Sequence, residues 1–165
     1  MDYRVGFSKD IHRLVENRKL ILAGVVVPFD KGELAHSDGD VVYHAIAESI
    51  LGALALGDLG THFPDTSDDT LNMDSALIVS TVVSLMEKEG YEVNNIDVFI
   101  SLEKPKLKDY ISQMRNNVAK LLKIDVCQVS LKAGTNEKVG PVGEGLAVES
   151  SAIVMLKKKS IANNN

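Results

Sequence analysis

The spacing of hydrophobic residues over the first part of the chain predicts a short strand followed by a buried helix. Val25–Val27 form an apolar run, and Gly24 before it marks a bend or bulge in a β segment. Over residues 41–56 the apolar positions take helical spacing and cover nearly the whole circumference, which predicts a largely buried helix. Two segments are predicted to be loops, 30–40 and 57–69.

The rest of the chain carries helical and alternating patterns in turn. A second helix is predicted from Asp74 or Ser75, either of which offers a capping side chain, to Gly90. Residues 107–122 form an amphipathic helix. Strand patterns cover three further segments, namely 96–102, 127–133 beginning at Cys127, and 146–156. This order favours an α+β fold in which helices cover one face of a mixed sheet.

Length and composition predict one folded unit. The chain has 165 residues, of which 45% are apolar and 25% charged, as is typical of soluble globular domains. We expect a single domain over residues 1–157 and a disordered tail over 158–165, where lysines and asparagines follow one another.

Charge and composition also narrow the class of partner. The net charge is −5, the aromatic fraction is 5% and tryptophan is absent, which disfavours nucleic-acid binding and favours a small molecule. The single cysteine cannot form an intramolecular disulfide. Because no apolar segment has the length of a membrane span or an export signal, we expect a cytoplasmic protein with no membrane partner.

Three of the four histidines lie in segments rich in carboxylates. Asp10 and His12 project to the same side if their segment is extended, and His44 lies early in the predicted helix. One carboxylate and two imidazoles with a free fourth position form the ligand set of a catalytic zinc site. The alternative is that each histidine is an ordinary hydrogen-bonded residue. That alternative is weaker for His44, which interrupts an apolar helix.

Other segments favour an anionic substrate. His36 and Ser37 precede the buried helix, whose first N–H groups can hold a phosphate, although Ser37 or Asp38 could equally be a plain helix cap. Asp58 and Asp65 in the next loop could accept hydrogen bonds from ribose or polyol hydroxyls, or could simply be loop residues.

Two further segments have the same ambiguity. Glu137, which follows Thr135 in a glycine-rich segment, could hold Mg²⁺, or the segment could be a solvated hairpin. Pro105 and Lys106 could shape a pocket or merely start a helix.

Taken together, these motifs resemble those of the 2-C-methyl-D-erythritol 2,4-cyclodiphosphate synthase family. The matching segments run in order from about residue 4 to residue 156, and the HSDGD and FPDT motifs are the specific ones. They are DIH at 10–12, AHSDGDVVYH at 35–44, LGDLGTHFPDT at 56–66, PK at 105–106 and TNEK at 135–138.

The resemblance implies a homotrimer of ferredoxin-like α+β subunits with active sites between neighbouring subunits. It implies that 4-diphosphocytidyl-2-C-methyl-D-erythritol 2-phosphate is cyclised to 2-C-methyl-D-erythritol 2,4-cyclodiphosphate with release of CMP, in the non-mevalonate isoprenoid pathway. It further implies zinc at Asp10, His12 and His44, and a Mg²⁺ or Mn²⁺ ion at Glu137.

The resemblance also implies a set of residues that contact substrate, and these are His36, Ser37, Asp58, Gly60, Asp65, Pro105, Lys106 and Thr135. His36 and Ser37 would contact phosphate. His36, Asp65 and Thr135 are the catalytic residues of this set. No general base is needed, because the attacking phosphate oxygen is already largely anionic near neutral pH.

The chain departs from the family pattern in three places. Ser8 and Lys9 replace a glycine–aromatic pair, which predicts a cation near the zinc, and Gly134 replaces a threonine in the nucleotide pocket. The segment 140–145 is shorter than its family counterpart by about two residues and lacks an arginine, which bears on any ligand of the trimer axis.

Two other functions fit the same residues. A metal-dependent phosphoesterase would use the Asp–His set to activate water and would release inorganic phosphate or a linear product. A non-enzymatic trimeric binding module would use zinc only to join subunits. Metal removal would then dissociate the assembly, and no substrate would turn over.

Overall fold

The structure, a computed structural model, describes residues 2–35, 37–63 and 73–159. Its elements in chain order are β1 (Tyr3–Glu16), β2 (Leu20–Leu22), β3 (Val25–Val27), β4 (Lys31–Leu34), α1 (Val41–Leu54), α2 (Leu59–His62), α3 (Ser75–Lys88), β5 (Tyr91–Ser101), α4 (Ile111–Leu122), a 3₁₀ turn (Val126–Gln128), β6 (Val129–Gly134), α5 (Gly140–Gly143) and β7 (Ala147–Lys158).

A mixed five-stranded sheet forms the centre of the described part, with strand order β4-β1-β7-β5-β6. Among the described residues, only β5 and β6 pair in parallel, and α4 connects them. The short strands β2 and β3 form a separate antiparallel pair. The predicted α+β fold with a mixed sheet is therefore confirmed.

Helix α1 lies between the sheet and α3, which explains why its apolar residues cover nearly all sides. Asp40 caps its N-terminus and Ala55 ends it in the left-handed conformation. Neither Ser37 nor Asp38 is the cap. The helix is buried as its pattern predicted, since both of its neighbours remove apolar surface from water.

Several predicted boundaries are wrong. β1 is a long strand of 14 residues, and β4 lies within a segment predicted to be a loop. β4 has no alternating apolar pattern and depends on its pairing with β1, where Gly32 opposes Val15. α2 also lies in a predicted loop. Cys127 lies in the 3₁₀ turn and is exposed, because Asp125 caps that turn before β6 begins.

The ferredoxin-like arrangement is also corrected. That sandwich follows the order β-α-β-β-α-β, with two strands in succession at the middle of the chain. Here the strands that follow each other without a long helix between them, β6 and β7, come at the end of the chain. β7 inserts between β1 and β5 and pairs antiparallel with both. The long apolar β7 is buried on one face along most of its length, which gives it the central position.

At the C-terminus, the first two residues of the predicted tail make backbone hydrogen bonds at the end of β7. Lys158 pairs with Tyr91 in the sheet, and the Lys159 N–H donates to the Gly90 carbonyl at 2.8 Å. The other residues of the predicted tail lie outside the described part. No helix in the described ranges combines the length and the apolar character that crossing a membrane requires.

Candidate active site

Asp10, His12 and His44 meet where β1 crosses the start of α1, as their spacing predicted. Asp10 and His12 are two residues apart on β1 and share the face that packs on the helix, while His44 lies in the first turn of α1. Their side chains are partly buried, with 28% of Asp10 and 13% of each imidazole exposed.

The distances between these side chains fit one shared metal ion. Asp10 Oδ2 lies 3.1 Å from His12 Nε2 and 3.3 Å from His44 Nδ1, and the two ring nitrogens are 3.4 Å apart. A tetrahedral zinc ion, bound at about 2.0–2.1 Å, holds its ligand atoms roughly 3.3 Å apart. The three residues therefore fit zinc and leave a fourth position for substrate.

The second nitrogen of His12 has a partner that sets its tautomer. His12 Nδ1 donates to the Gly39 carbonyl oxygen at 2.8 Å. In the neutral ring that binds a metal, the lone pair is then on Nε2, the atom that faces Asp10 and His44. A metal-binding imidazole commonly donates its other N–H to a carbonyl in this way.

Carboxylates around the triad shift its protonation. Desolvation alone would lower the pKa of His12, but its contact with Asp10 and the nearby carboxylate of Glu33 outweigh it and raise that pKa to about 10. Burial raises the pKa of Asp10, but the imidazoles of His12 and His44 beside it outweigh burial and hold that pKa well below its usual range. Burial raises the pKa of Glu33 to about 8. Because a metal binds neutral imidazole, metal binding must displace a proton from this cluster.

A cavity of about 360 Å³ opens beside the triad. The polar part of its lining contains the triad with Ser37 and Glu48, and Gly60 also contacts it. The apolar part of its lining consists of Leu34, Leu59, Phe63, Met73 and Ile78. The cavity thus combines groups for phosphate and metal with a surface for carbon atoms.

Asp58, the predicted ribose ligand, caps the short helix α2 next to this cavity. Its Oδ1 accepts from the Thr61 N–H at 2.9 Å and the Thr61 hydroxyl at 2.7 Å. The predicted residues His36 and Asp65 lie outside the described part of the chain.

The residues predicted for the cytidine end form a second cluster. Pro105, Lys106 and Thr135 line a cavity of about 430 Å³. Glu137 lies beside it, and its Oε1 accepts from the Thr135 hydroxyl at 3.0 Å. This cluster adjoins β6, which β7 and β5 separate from β1 in the sheet. One chain therefore brings the triad together with Ser37 and Gly60, but not with this cluster.

The predicted cation near the metal site is absent from that face. Lys9 lies on the opposite face of β1, because neighbouring strand residues point to opposite sides, and pairs with Glu149 at 2.8 Å. Ser8 does face the site and donates to Glu48 Oε2 at 3.0 Å. A Cβ at Gly134 would lie 2.8 Å from Cζ of Phe99, the far end of a partly exposed side chain that can turn away, so packing does not explain this glycine.

Some residues of the site were missed in the sequence. Glu48 lies four residues after His44, so helical spacing could have placed it on the same face. Ser75, predicted only as a possible helix cap, has its Oγ 3.1 Å from His44 Nε2. Arg18 donates to the carbonyl oxygens of Glu33 at 3.0 Å and Ser37 at 3.2 Å, and no local pattern identifies that contact.

The fold and the site define an α+β protein with a candidate three-ligand metal centre beside a substrate-sized cavity. Residues 3–157 match the model of the YgbB family, and the chain belongs to this family.

Relatives carry the name that the motifs suggested. The 2-C-methyl-D-erythritol 2,4-cyclodiphosphate synthase of Brachyspira hyodysenteriae is 48% identical over 155 residues, covering 94% of this chain and 98% of the relative. The Plasmodium falciparum IspF–CDP complex matches with a TM-score of 0.84 and 35% identity, over 96% of this chain and 98% of that one. The bifunctional IspDF of Campylobacter jejuni matches with a TM-score of 0.91 and 37% identity, over 95% of this chain and 42% of that one. The predicted family resemblance is confirmed.

Proposed function

We propose that this chain is a cyclodiphosphate synthase, a phosphorus–oxygen lyase of the non-mevalonate isoprenoid pathway. It converts 4-diphosphocytidyl-2-C-methyl-D-erythritol 2-phosphate into 2-C-methyl-D-erythritol 2,4-cyclodiphosphate and CMP. The observation that carries the proposal is the ligand-spaced triad of Asp10, His12 and His44 beside a cavity that also contains Ser37 and Gly60. Relatives named for this synthase, nearly half identical over almost the full chain, support the same reaction.

The reaction needs positioning more than a protein nucleophile. An oxygen of the 2-phosphate attacks the β-phosphorus, the bond from that phosphorus to the bridging oxygen breaks, and CMP leaves with that oxygen. In this proposal Ser37 holds a phosphate oxygen and the apolar side chains hold the carbon chain; that both line the same cavity supports these roles. Zinc bound at the triad would neutralise charge on the transferring phosphoryl group.

The cytidine end of the substrate is assigned to the second cluster. Pro105, Lys106 and Thr135 line a cavity suited to a base and its phosphate. Glu137 offers one carboxylate beside the Thr135 hydroxyl, which fits a Mg²⁺ or Mn²⁺ ion that takes its other ligands from substrate phosphates and water. His36 and Asp65 complete the proposed phosphate and erythritol contacts.

The two clusters support an active site shared between subunits of a homotrimer. In one chain the triad and the cytidine cluster lie on different parts of the sheet. The face of the sheet away from α1 exposes large apolar side chains, namely Tyr3, Val5, Phe7, Ile11, Phe99 and Ile153. Burying this face against neighbouring subunits would remove apolar surface from water and bring the second cluster of one subunit toward the triad of the next.

Phosphorus NMR of the purified protein with the cytidyl substrate tests the reaction. We expect CMP and a cyclic diphosphate, without inorganic phosphate. A linear product or inorganic phosphate would identify a phosphoesterase, and an absence of turnover with zinc and Mg²⁺ present would favour a binding module.

His44→Ala tests the metal centre in the same assay. We expect loss of turnover and of bound zinc by elemental analysis, because two ligands hold zinc far more weakly than three. His62→Ala is the matched control, since His62 Nε2 bonds to the Leu56 carbonyl, outside the triad. Equal zinc content in His44→Ala and wild type would remove His44 from the ligand set.

A further inference from the structure

We propose that Ser75, held by Asp38, is a positioning residue that sets the tautomer of the metal ligand His44. This inference rests on the metal centre of the proposed function. Ser75 is fully buried at the first position of α3, while His44 belongs to α1, so the contact joins two helices at the site.

The Ser75 hydroxyl has one hydrogen, and it donates this hydrogen in a bond to Asp38. Ser75 Oγ lies 2.5 Å from Asp38 Oδ1, and the Ser75 backbone N–H donates to Asp38 Oδ2 at 3.3 Å. A carboxylate only accepts hydrogen bonds, so the serine hydroxyl is the donor in this short contact. Only lone pairs of Ser75 Oγ are then left for other partners.

His44 must therefore donate to Ser75. His44 Nε2 lies 3.1 Å from Ser75 Oγ, and because that oxygen has no further hydrogen to give, the hydrogen between them belongs to Nε2. A neutral imidazole with hydrogen on Nε2 has its lone pair on Nδ1. Nδ1 is the atom 3.3 Å from Asp10 and 3.4 Å from His12, where the metal ion would bind.

In the same tautomer, the Ser37 hydroxyl does not donate its hydrogen to His44. Ser37 Oγ lies 3.2 Å from His44 Nε2 and accepts from the Gly39 N–H at 3.1 Å. Because Nε2 carries a hydrogen, it cannot accept one from Ser37. The Ser37 hydroxyl hydrogen is then available to the cavity that Ser37 lines, where an anionic oxygen would receive it.

The Ser75 hydroxyl is not needed to cap α3. Asp74 is the N-cap and accepts from the Ala76 N–H at 2.8 Å, so the helix start is satisfied without the Ser75 hydroxyl. A backbone hydrogen bond also joins the segment before α1 to the start of α3, since the Asp38 N–H donates to the Met73 carbonyl at 3.1 Å. Removing the hydroxyl should therefore change the metal site more than the fold.

Ser75→Ala is the main test, with Ser80→Ala as its control. Ser80 lies on the same helix but is exposed, and its hydroxyl donates to the Ala76 carbonyl at 2.8 Å. We expect Ser75→Ala to weaken zinc binding by about 10- to 100-fold in chelator competition, the range found when groups behind a metal ligand are removed. Ser80→Ala should bind zinc like wild type.

Asp38→Asn and NMR separate this role from a merely structural one. Asp38→Asn keeps the shape of the side chain but removes its charge. We expect it to weaken zinc binding less than Ser75→Ala does. If Ser75→Ala does not fold, Asp38→Asn serves as the test in its place. Long-range ¹H–¹⁵N spectra of the metal-free protein should show hydrogen on His44 Nε2 in wild type and a lower occupancy of that position in the variants.

The outcomes distinguish this inference from the proposed function. If wild type binds no zinc, the metal centre fails and this inference fails with it. If wild type binds zinc and both Ser75→Ala and Asp38→Asn bind it equally well, with the His44 tautomer unchanged, only the role of Ser75 is overturned. A lower free energy of unfolding with unchanged zinc affinity would likewise show a structural role alone.

Discussion

Single residues hold this site together through hydrogen bonds between segments far apart in the sequence. Asp40 is the strongest example, because its buried carboxylate accepts from the N–H groups of Ala23 at 3.0 Å, Gly24 at 2.7 Å, Val42 at 3.1 Å and Tyr43 at 3.2 Å. It thus caps α1 and fixes the turn between β2 and β3 with one side chain.

Asp40→Ala should lower the free energy of unfolding by about 3 kcal/mol, because it leaves several buried N–H groups without partners. The measurement is the urea midpoint at fixed metal concentration. Asp74→Ala is the control; Asp74 is an exposed cap of α3, and its loss should cost about 1 kcal/mol. Equal losses in the two variants would show that burial adds nothing to the Asp40 contacts.

The pKa of the exposed thiol Cys127 is raised by its hydrogen bond to Asp125 and by the charge of that carboxylate. A raised pKa leaves less thiolate at pH 8, so alkylation is slowed in wild type. Asp125→Asn should speed the reaction of Cys127 with iodoacetamide at pH 8, while the asparagine still caps the 3₁₀ turn. An unchanged rate would show that Asp125 does not control the thiol.

At the scale of elements, the close crossing of β1 over α1 sets the size of the metal centre. A Cβ at Gly6 would lie 1.9 Å from the Ser49 carbonyl oxygen and 2.7 Å from the Ala53 nitrogen, both of them backbone atoms of α1. β1 carries Asp10 and His12, and α1 carries His44. Any change that moves the strand away from the helix therefore also moves the ligands apart.

Gly6→Ala should destabilise the protein by about 3 kcal/mol, because backbone must shift to admit the methyl group, and should also weaken zinc binding. Urea unfolding measures the change in stability, and chelator competition measures the change in zinc affinity. Gly52→Ala on the exposed side of α1 has open space around its Cβ, and alanine there should instead stabilise the helix by about 0.5–1 kcal/mol. Normal zinc affinity in Gly6→Ala would show that the crossing does not set ligand spacing.

For the molecule as a whole, the apolar face of the sheet is the main unexplained surface of a single chain. Phe7 is 62% exposed and Ile153, opposite it on β7, is 50% exposed. Monomeric proteins rarely expose contiguous apolar surface of this kind. Together with the division of the proposed site into two clusters, this face supports assembly with other copies of the chain.

Phe7→Glu should convert the proposed trimer to monomers, because a carboxylate would be buried in the subunit interface. Light scattering coupled to size exclusion measures the mass. Leu77→Glu is the control, since Leu77 is 58% exposed but lies on α3, in the helix layer. A wild type that is monomeric at high concentration would overturn the trimer.

Local pattern predicted elements well where burial is one-sided or complete, as in α1 and α4. It failed where an element depends on a partner strand, as in β4, or where a capping side chain replaces the strand pattern, as at Cys127. Asp10, His12 and His44 could be nominated because their spacing places donors on one side of a strand and a helix. The contact of Ser75 with His44 could not be predicted, because the two residues are 31 positions apart in the sequence.

By itself, the sequence determined the types of element, the ligand types and the family motifs, because side-chain periodicity and local turns depend on near neighbours. The tertiary structure decided which donors meet, which face Lys9 takes and where β7 inserts in the sheet. These depend on strand register and on the crossing of β1 over α1 at Gly6. Contacts between distant segments fix both, and no short stretch of sequence specifies them.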